Sequence, residues 1–186
     1  IYQMLGGRSR DKVRIYNTCA GYKYIRDTRA QKYENYGLGN APGGPYEDLE
    51  GFLHHADDLA ISLMEEGITG MKIWPFDEYA EKWEGMYIAP QELDEALLPF
   101  RKIRDAVGDG MDIMVEFHSM WNLPTAQKIA RALEEFNTFW HEDPIRMDSL
   151  SDLKAYATAS KAPITASETL ASKWAFRDLL DTGVCG

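Results

Sequence analysis

Three short apolar runs each end in a carboxylate: Ile113-Met-Val-Glu116, Phe139-Trp-His-Glu142 and Ile164-Thr-Ala-Ser-Glu168. The three glutamates follow one another at a constant interval of 26 residues, with an amphipathic helical pattern in each gap. A βα unit of a parallel barrel takes roughly 30 residues, so this repeat predicts that each Glu stands at the C-terminal end of a successive strand. Neighbouring parallel strands lie about 4.8 Å apart, and side chains at equivalent strand ends can then converge. Three converging carboxylates repel unless a cation lies between them. A hard divalent ion with oxygen ligands resolves this, and Mg²⁺ suits a site that keeps positions open for a substrate. The alternative is three unrelated solvated glutamates, the commonest fate of this residue.

The rest of the pattern alternates strand and helix, which implies a parallel α/β sheet with right-handed crossovers. Strands are expected over residues 13–20, 70–74, 111–117, 138–142 and 163–167. Helices are expected over 46–66, 90–107, 123–136, from Ser149 or Ser151 to about residue 160, and 172–180. Five βα units cannot close an eight-stranded barrel. The 186 residues therefore read as an internal piece of a longer protein, with residues 1–12 the end of a preceding domain and 13–186 a partial barrel. A five-stranded doubly wound sheet is the rival. Residues 21–45 form a long loop with tyrosines in and near it (Tyr16, Tyr22, Tyr24, Tyr33 and Tyr36), either a wall over the pocket or surface decoration. The stretch 76–89, with Asp77, Glu78, Tyr79, Trp83 and Tyr87, reads as another loop with a solvated surface.

A net charge of −10 argues against a nucleic-acid partner, which needs clustered Lys and Arg. An anionic small substrate stays compatible if a metal and a lysine reverse the field locally. Cys19 and Cys185 make no disulfide framework, which suits a reducing cytosol and a cytoplasmic protein. No run approaches the roughly 20 apolar residues of a membrane span.

Polar residues collect at the strand ends, where sites of parallel α/β folds lie: Lys72, Glu116, His118, His141, Glu142, Asp143, Ser167 and Glu168. Lys72 sits in an apolar run, either buried for a purpose or marking an edge. Glu116 and His118, two apart on a strand, point the same way. His118 is then a fourth metal ligand, a packed structural histidine, or a general acid or base. His54 and His55 lie within a helix and read as solvated or packed.

Val115-Glu-Phe-His118, Trp140-His-Glu-Asp-Pro144, Ser167-Glu-Thr-Leu170 and the preceding Gly67-Ile-Thr-Gly-Met-Lys72, taken together, resemble the mandelate racemase/muconate lactonizing enzyme group of the enolase superfamily. The resemblance implies a TIM-type (β/α) barrel with an N-terminal capping domain, and one Mg²⁺ held by Glu116, Glu142 and Glu168. It also implies a reaction in which the proton α to a carboxylate is removed and the enediolate is stabilised by the metal. Racemases of the group carry Lys-x-Lys at the second strand end; here the motif is Lys72-Ile-Trp74, and Trp cannot take a proton. The Glu116-Phe-His118 pair instead resembles the acid-sugar dehydratases similar to galactonate dehydratase. By that resemblance His118 is the general acid for loss of the 3-hydroxyl, Lys72 stabilises charge on the substrate carboxylate, and a His–Asp dyad on later strands is the base. The implied substrate is a sugar acid and the product a 2-keto-3-deoxy acid. A racemase, epimerase or cycloisomerase of the group, or a non-catalytic sugar-acid binder, are the alternatives. Members of the group often form oligomers, so a homo-oligomer is a further expectation.

Overall fold

The computed structural model describes residues 1–21 and 47–185; the tyrosine-rich loop and the start of the helix expected from residue 46 lie outside them. Four strands form one sheet in the order β1 (Gly70–Ile73), β2 (Asp112–Glu116), β3 (Trp140–Glu142) and β4 (Ile164–Thr165). All pairings are parallel. Single parallel bridges extend the sheet on both sides, Asn17 to Met71 and Ile164 to Cys185. Each strand therefore lies beside its predecessor throughout, with no reversal of order. A doubly wound sheet requires such a reversal, so the winding is that of a (β/α) barrel.

Helices pack outside this arc: α1 (Asp48–His54), α2 (Ala56–Glu65), α3 (Asp77–Lys82), α4 (Pro90–Ala96), α5 (Leu98–Val107), α6 (Leu123–Leu133), α7 (Leu150–Ala159) and α8 (Lys173–Leu180). Asn122, Ser149 and Ser172 cap α6, α7 and α8 by accepting from the N–H groups of Thr125, Asp152 and Ala175. Phe76, Phe100, Phe117, Ile103, Ile129 and Tyr156 are fully buried in the layer between strands and helices. Among the described residues no helix is long and apolar enough to cross a membrane.

Four expectations about the elements are corrected. The strand expected over 13–20 shrinks to one bridge, in which Asn17 N–H donates to Gly70 O and Lys72 N–H to Asn17 O at 2.9 and 2.7 Å. Val13 and Ile15, which carried the alternation, are 71% and 64% exposed, so no packing enforces a ladder there. The helix expected over 46–66 breaks at His55 (φ −135°, ψ 46°), and Leu59 of α2 then comes within 3.2 Å of where a side chain on Gly51 of α1 would begin. The loop expected over 76–89 contains α3, because Phe76, Asp77 and Ala80 share a buried face. The helix from Pro90 to Val107 is also interrupted at Leu97, where Pro99 lacks the N–H needed to continue the ladder.

The loop after α3 is tied to its neighbours. Gly85 has φ +69°, and a Cβ there would stand 1.9 Å from Met120 O. Asn122 N–H donates to Gly85 O, the Thr125 hydroxyl to Met86 O, and the Arg146 guanidinium to Glu84 O. The loops following β1, β2 and β3 are thus stitched into one rim.

His141, expected among the polar strand-end residues, faces the other way. Side chains alternate along β3, so Glu142 and His141 take opposite faces. His141 is buried, with Nδ1 2.7 Å from the Tyr156 hydroxyl on α7 and Nε2 2.9 Å from the Thr138 hydroxyl. Burial pushes its pKa down to about 3. The unfolded chain's histidine takes a proton near 6.5, whereas the folded one refuses it until about 3, so this neutral pocket contributes fully above about 6.5 and is lost as pH falls through that interval. Between pH 7 and pH 4 the wild-type protein should lose about 3 kcal/mol more stability than His141→Gln, measured by urea unfolding at both values.

Candidate active site

β1 is buried along its whole length, yet its third residue is a lysine. In register, Lys72 faces Met114, and Glu116 faces Glu142. With a period of two, Lys72, Met114, Glu116 and Glu142 therefore share one face of the sheet. At its C-terminal edge the Lys72 ammonium lies 2.8 Å from Glu116 Oε2 and 2.9 Å from Glu142 Oε1. Burial opposes the lysine charge, but the two carboxylates outweigh it and hold the ammonium above its ordinary pKa. One cation shared by two carboxylates leaves them unequal. Burial raises the Glu116 carboxyl to about 7 against the pull of His118 and Lys72. Burial also acts against the Glu142 charge, but the hydrogen bond and charge of Lys72 prevail and hold that carboxyl below its usual range.

Glu116 Oε1 accepts from the backbone N–H groups of Phe117 and His118 at 3.1 and 2.9 Å, so the carboxylate also caps the turn that ends β2. His118 and Ser119 both adopt positive φ, 51° and 56°. The aim of His118 is consequently set by this turn and not by strand alternation. Its Nδ1 lies 2.7 Å from Asp77 Oδ2, with both side chains buried. Burial works against a charged imidazole, but the Asp77 carboxylate outweighs it and raises the His118 pKa. The Trp74 ring meets the imidazole edge-on, 5.4 Å between centroids and 87° between planes.

Glu168 is exposed, on the segment after β4. Its backbone N–H donates to Asp143 Oδ2 at 3.0 Å, and the Ser167 hydroxyl reaches the same oxygen at 3.4 Å. Asp143 is fully buried, and burial raises its pKa against those two bonds. The Glu168 charge is felt at Asp77, His118 and Asp143, so the loop borders the same space.

Of the three glutamates, then, Glu116 and Glu142 meet around Lys72, and Glu168 stands on the adjoining loop. Among the described residues no three His, Cys, Asp or Glu side chains are gathered into a metal-binding group, since the ammonium fills the space between the first two and the third stands on an exposed segment. The donor chemistry nevertheless fits a hard cation. Two carboxylates at register-paired strand ends share a single positive charge, and the one that burial raises to about 7 would be favoured in its ionised form by a further cation.

Sequence reasoning missed Asp77, read as part of a solvated surface. Its signal was an acidic residue just past the Pro75 that stops β1, at the same sheet edge as the other polar groups. Trp74 was read only as a missing base; its contact with His118 needed the fold.

A family model described as Enolase C-terminal domain-like matches residues 55–186. Among curated relatives, a D-galactonate dehydratase of Variovorax paradoxus is 24% identical over 98% of this chain and 39% of its own length. A D-gluconate dehydratase of Thermoproteus tenax is 26% identical over 92% of this chain and 28% of its own. Among solved structures, an enolase of the mandelate racemase subgroup from Agrobacterium tumefaciens is 53% identical, with a TM-score of 0.78, covering 100% of this chain and 41% of that one. The chain thus spans about two-fifths or less of the length of these relatives. Strand order, the polar strand ends and the family match agree: the chain belongs to the Enolase C-terminal domain-like family of the enolase superfamily, with relatives in its mandelate racemase subgroup.

Proposed function

We propose that this chain is the first part of the catalytic barrel of a longer Mg²⁺-dependent sugar-acid dehydratase, with residues 1–12 ending a capping domain. One observation carries the reading: the Lys72–Glu116–Glu142 cluster stands beside a buried, carboxylate-paired His118, while Trp74 occupies the place of a racemase lysine. The names of the dehydratase relatives support it. Glu116, Glu142 and Glu168 would hold the ion; when bound, Mg²⁺ supplies a Lewis acid worth several kcal/mol toward negative charge developing on a substrate carboxylate.

The chain's own groups do the remainder. Lys72 binds the carboxylate end of the substrate and keeps its charge through the reaction, because its two glutamates oppose deprotonation. The proton α to the carboxylate leaves for a base expected on later strands. As the bond from the neighbouring carbon to its hydroxyl breaks, His118 Nε2 gives its proton to the departing oxygen, which leaves as water. The resulting enol becomes a 2-keto-3-deoxy acid. A positioned acid of this kind contributes on the order of 10²–10⁴-fold.

The deciding experiment is a screen of aldonates and aldarates for 2-keto acid formation by the full-length protein, with Mg²⁺ and with chelator. Isomerised product without 2-keto acid would favour a racemase, epimerase or cycloisomerase instead; binding without turnover would favour a sugar-acid binder. Glu142→Gln should abolish Mg²⁺-dependent turnover and weaken Mg²⁺ binding by calorimetry. His118→Asn should suppress dehydration by about 10²–10⁴-fold yet leave slow α-proton exchange in deuterated water; unchanged dehydration would refute its role. Lys72→Met should cost about 3–5 kcal/mol of stability well above pH 7, where the buried Glu116 and the half-buried Glu142 lose their shared cation. That loss should shrink as pH falls toward about 7, because Glu116 without the ammonium takes up its proton at a higher pH than the value of about 7 it has beside Lys72, read from unfolding curves across pH.

A further inference from the structure

The pairing of Asp77 with His118 makes poor sense as a device for stability alone. Both side chains are almost wholly enclosed, at 1% and 4% exposure. Among the described residues Asp77 Oδ1 is buried with no hydrogen-bond partner, so there the carboxylate gives up hydration for the contact to His118. A buried charge with half its acceptors unused costs stability, and a buried ion pair is often no better than an apolar replacement. The imidazole is constrained from other sides too. The Trp74 ring stands against it edge-on, and Trp74 is itself packed against Phe52 at 5.4 Å. The backbone beneath it is in the left-handed region, which only a few per cent of non-glycine residues adopt. That turn is fastened by His118 N–H to Glu116 Oε1, Ser119 N–H to Asp143 O and Met120 N–H to Phe117 O, at 2.9, 2.9 and 3.1 Å. Such over-determination of a strained residue is characteristic of functional sites.

We propose that Asp77 is the positioning residue for His118: its carboxylate holds the proton on Nδ1 and, with the Trp74 wall, aims the ring so that Nε2 carries out the proton transfer. This rests on the reading of His118 as the acid for the leaving hydroxyl. With Nδ1–H committed to Asp77 before and after the transfer, the proton that leaves the imidazolium is always the Nε2 proton, and the neutral ring that remains is the Nδ1–H tautomer. Asp77 opens α3, three residues beyond Trp74, the position where the racemases of the group carry a second lysine. The β1 loop here serves another purpose, holding the acid borne by the next strand.

The test uses the full-length protein with ¹⁵N-labelled histidine. The His118 signal, assigned by its loss in His118→Asn, should show the Nδ1–H tautomer once the ring is neutral, with a strongly deshielded Nδ1 proton. Asp77→Asn, nearly isosteric, should lose that proton signal and the tautomer preference. Its kcat for dehydration should fall by about 10²–10⁴-fold, with KM changed only a few-fold and Mg²⁺ affinity by calorimetry unchanged. An Asp77→Asn protein that keeps both the tautomer and the rate overturns the proposal. So does one whose kcat, KM and Mg²⁺ affinity all collapse together while the tautomer persists. Should Asp77→Asn fail to fold, the wild-type spectrum decides alone, since an Nε2–H tautomer there contradicts the assignment. Absence of any sugar-acid dehydration by the wild type would sink the functional reading, while the tautomer measurement would still judge the Asp77–His118 arrangement.

Discussion

One ammonium shared between a buried glutamate, Glu116, and a half-buried one, Glu142, is the contact on which the site depends. Lys72, Glu116 and Glu142 come from three strands, and they meet only because the parallel register places Glu116 opposite Glu142 and Lys72 on the same face. A one-residue slip of β2 against either neighbour would send the carboxylate into the helix layer, where Val115 now packs. The apolar residues that flank each polar one along these strands are therefore what hold the site in register. Burial then sharpens the electrostatics. It separates the two glutamates, one holding its proton up to about neutral pH and one ionised by the lysine, and two carboxylates so separated can play different roles.

The second tier of the site is organised around a histidine and not a cation. Glu116 joins the tiers: one oxygen meets Lys72, the other accepts from the His118 backbone. The same carboxylate thereby fixes where β2 ends and where the imidazole begins, and a change at Glu116 disturbs both. Asp143 does similar work for the next loop through the backbone N–H of Glu168.

The strand-end glutamates, Lys72 and His118 were legible because strand periodicity and strand-end position are properties of the local pattern. So was the start of α7 at Ser149, one of the two serines expected there. What escaped depends on partners distant in the chain. Asp77 and His118 are 41 positions apart, and the Pro75 that precedes Asp77 marks the strand end without telling it apart from the exposed Glu78 beside it. His141 was misplaced because it neighbours Glu142 in the sequence, although the pleat sends the two in opposite directions. The stretch 13–20 has the alternation of a strand, but Val13 and Ile15 are exposed and only the bridge at Asn17 joins the sheet, and alternation alone does not make a ladder. The break at His55 was invisible to helical periodicity, which continues in phase across it.

The rim built on Gly85 has a consequence for how such a scaffold can change. Because its carbonyl and those of Glu84 and Met86 are taken by Asn122 before α6, Arg146 after β3 and Thr125 in the first turn of α6, the three loops cannot drift independently. Exchanging one of them alone for a segment from a relative would strand the bonding groups of the others. New selectivity on this framework is therefore better sought by replacing side chains that project from the rim, or by transplanting all three loops as a single cassette.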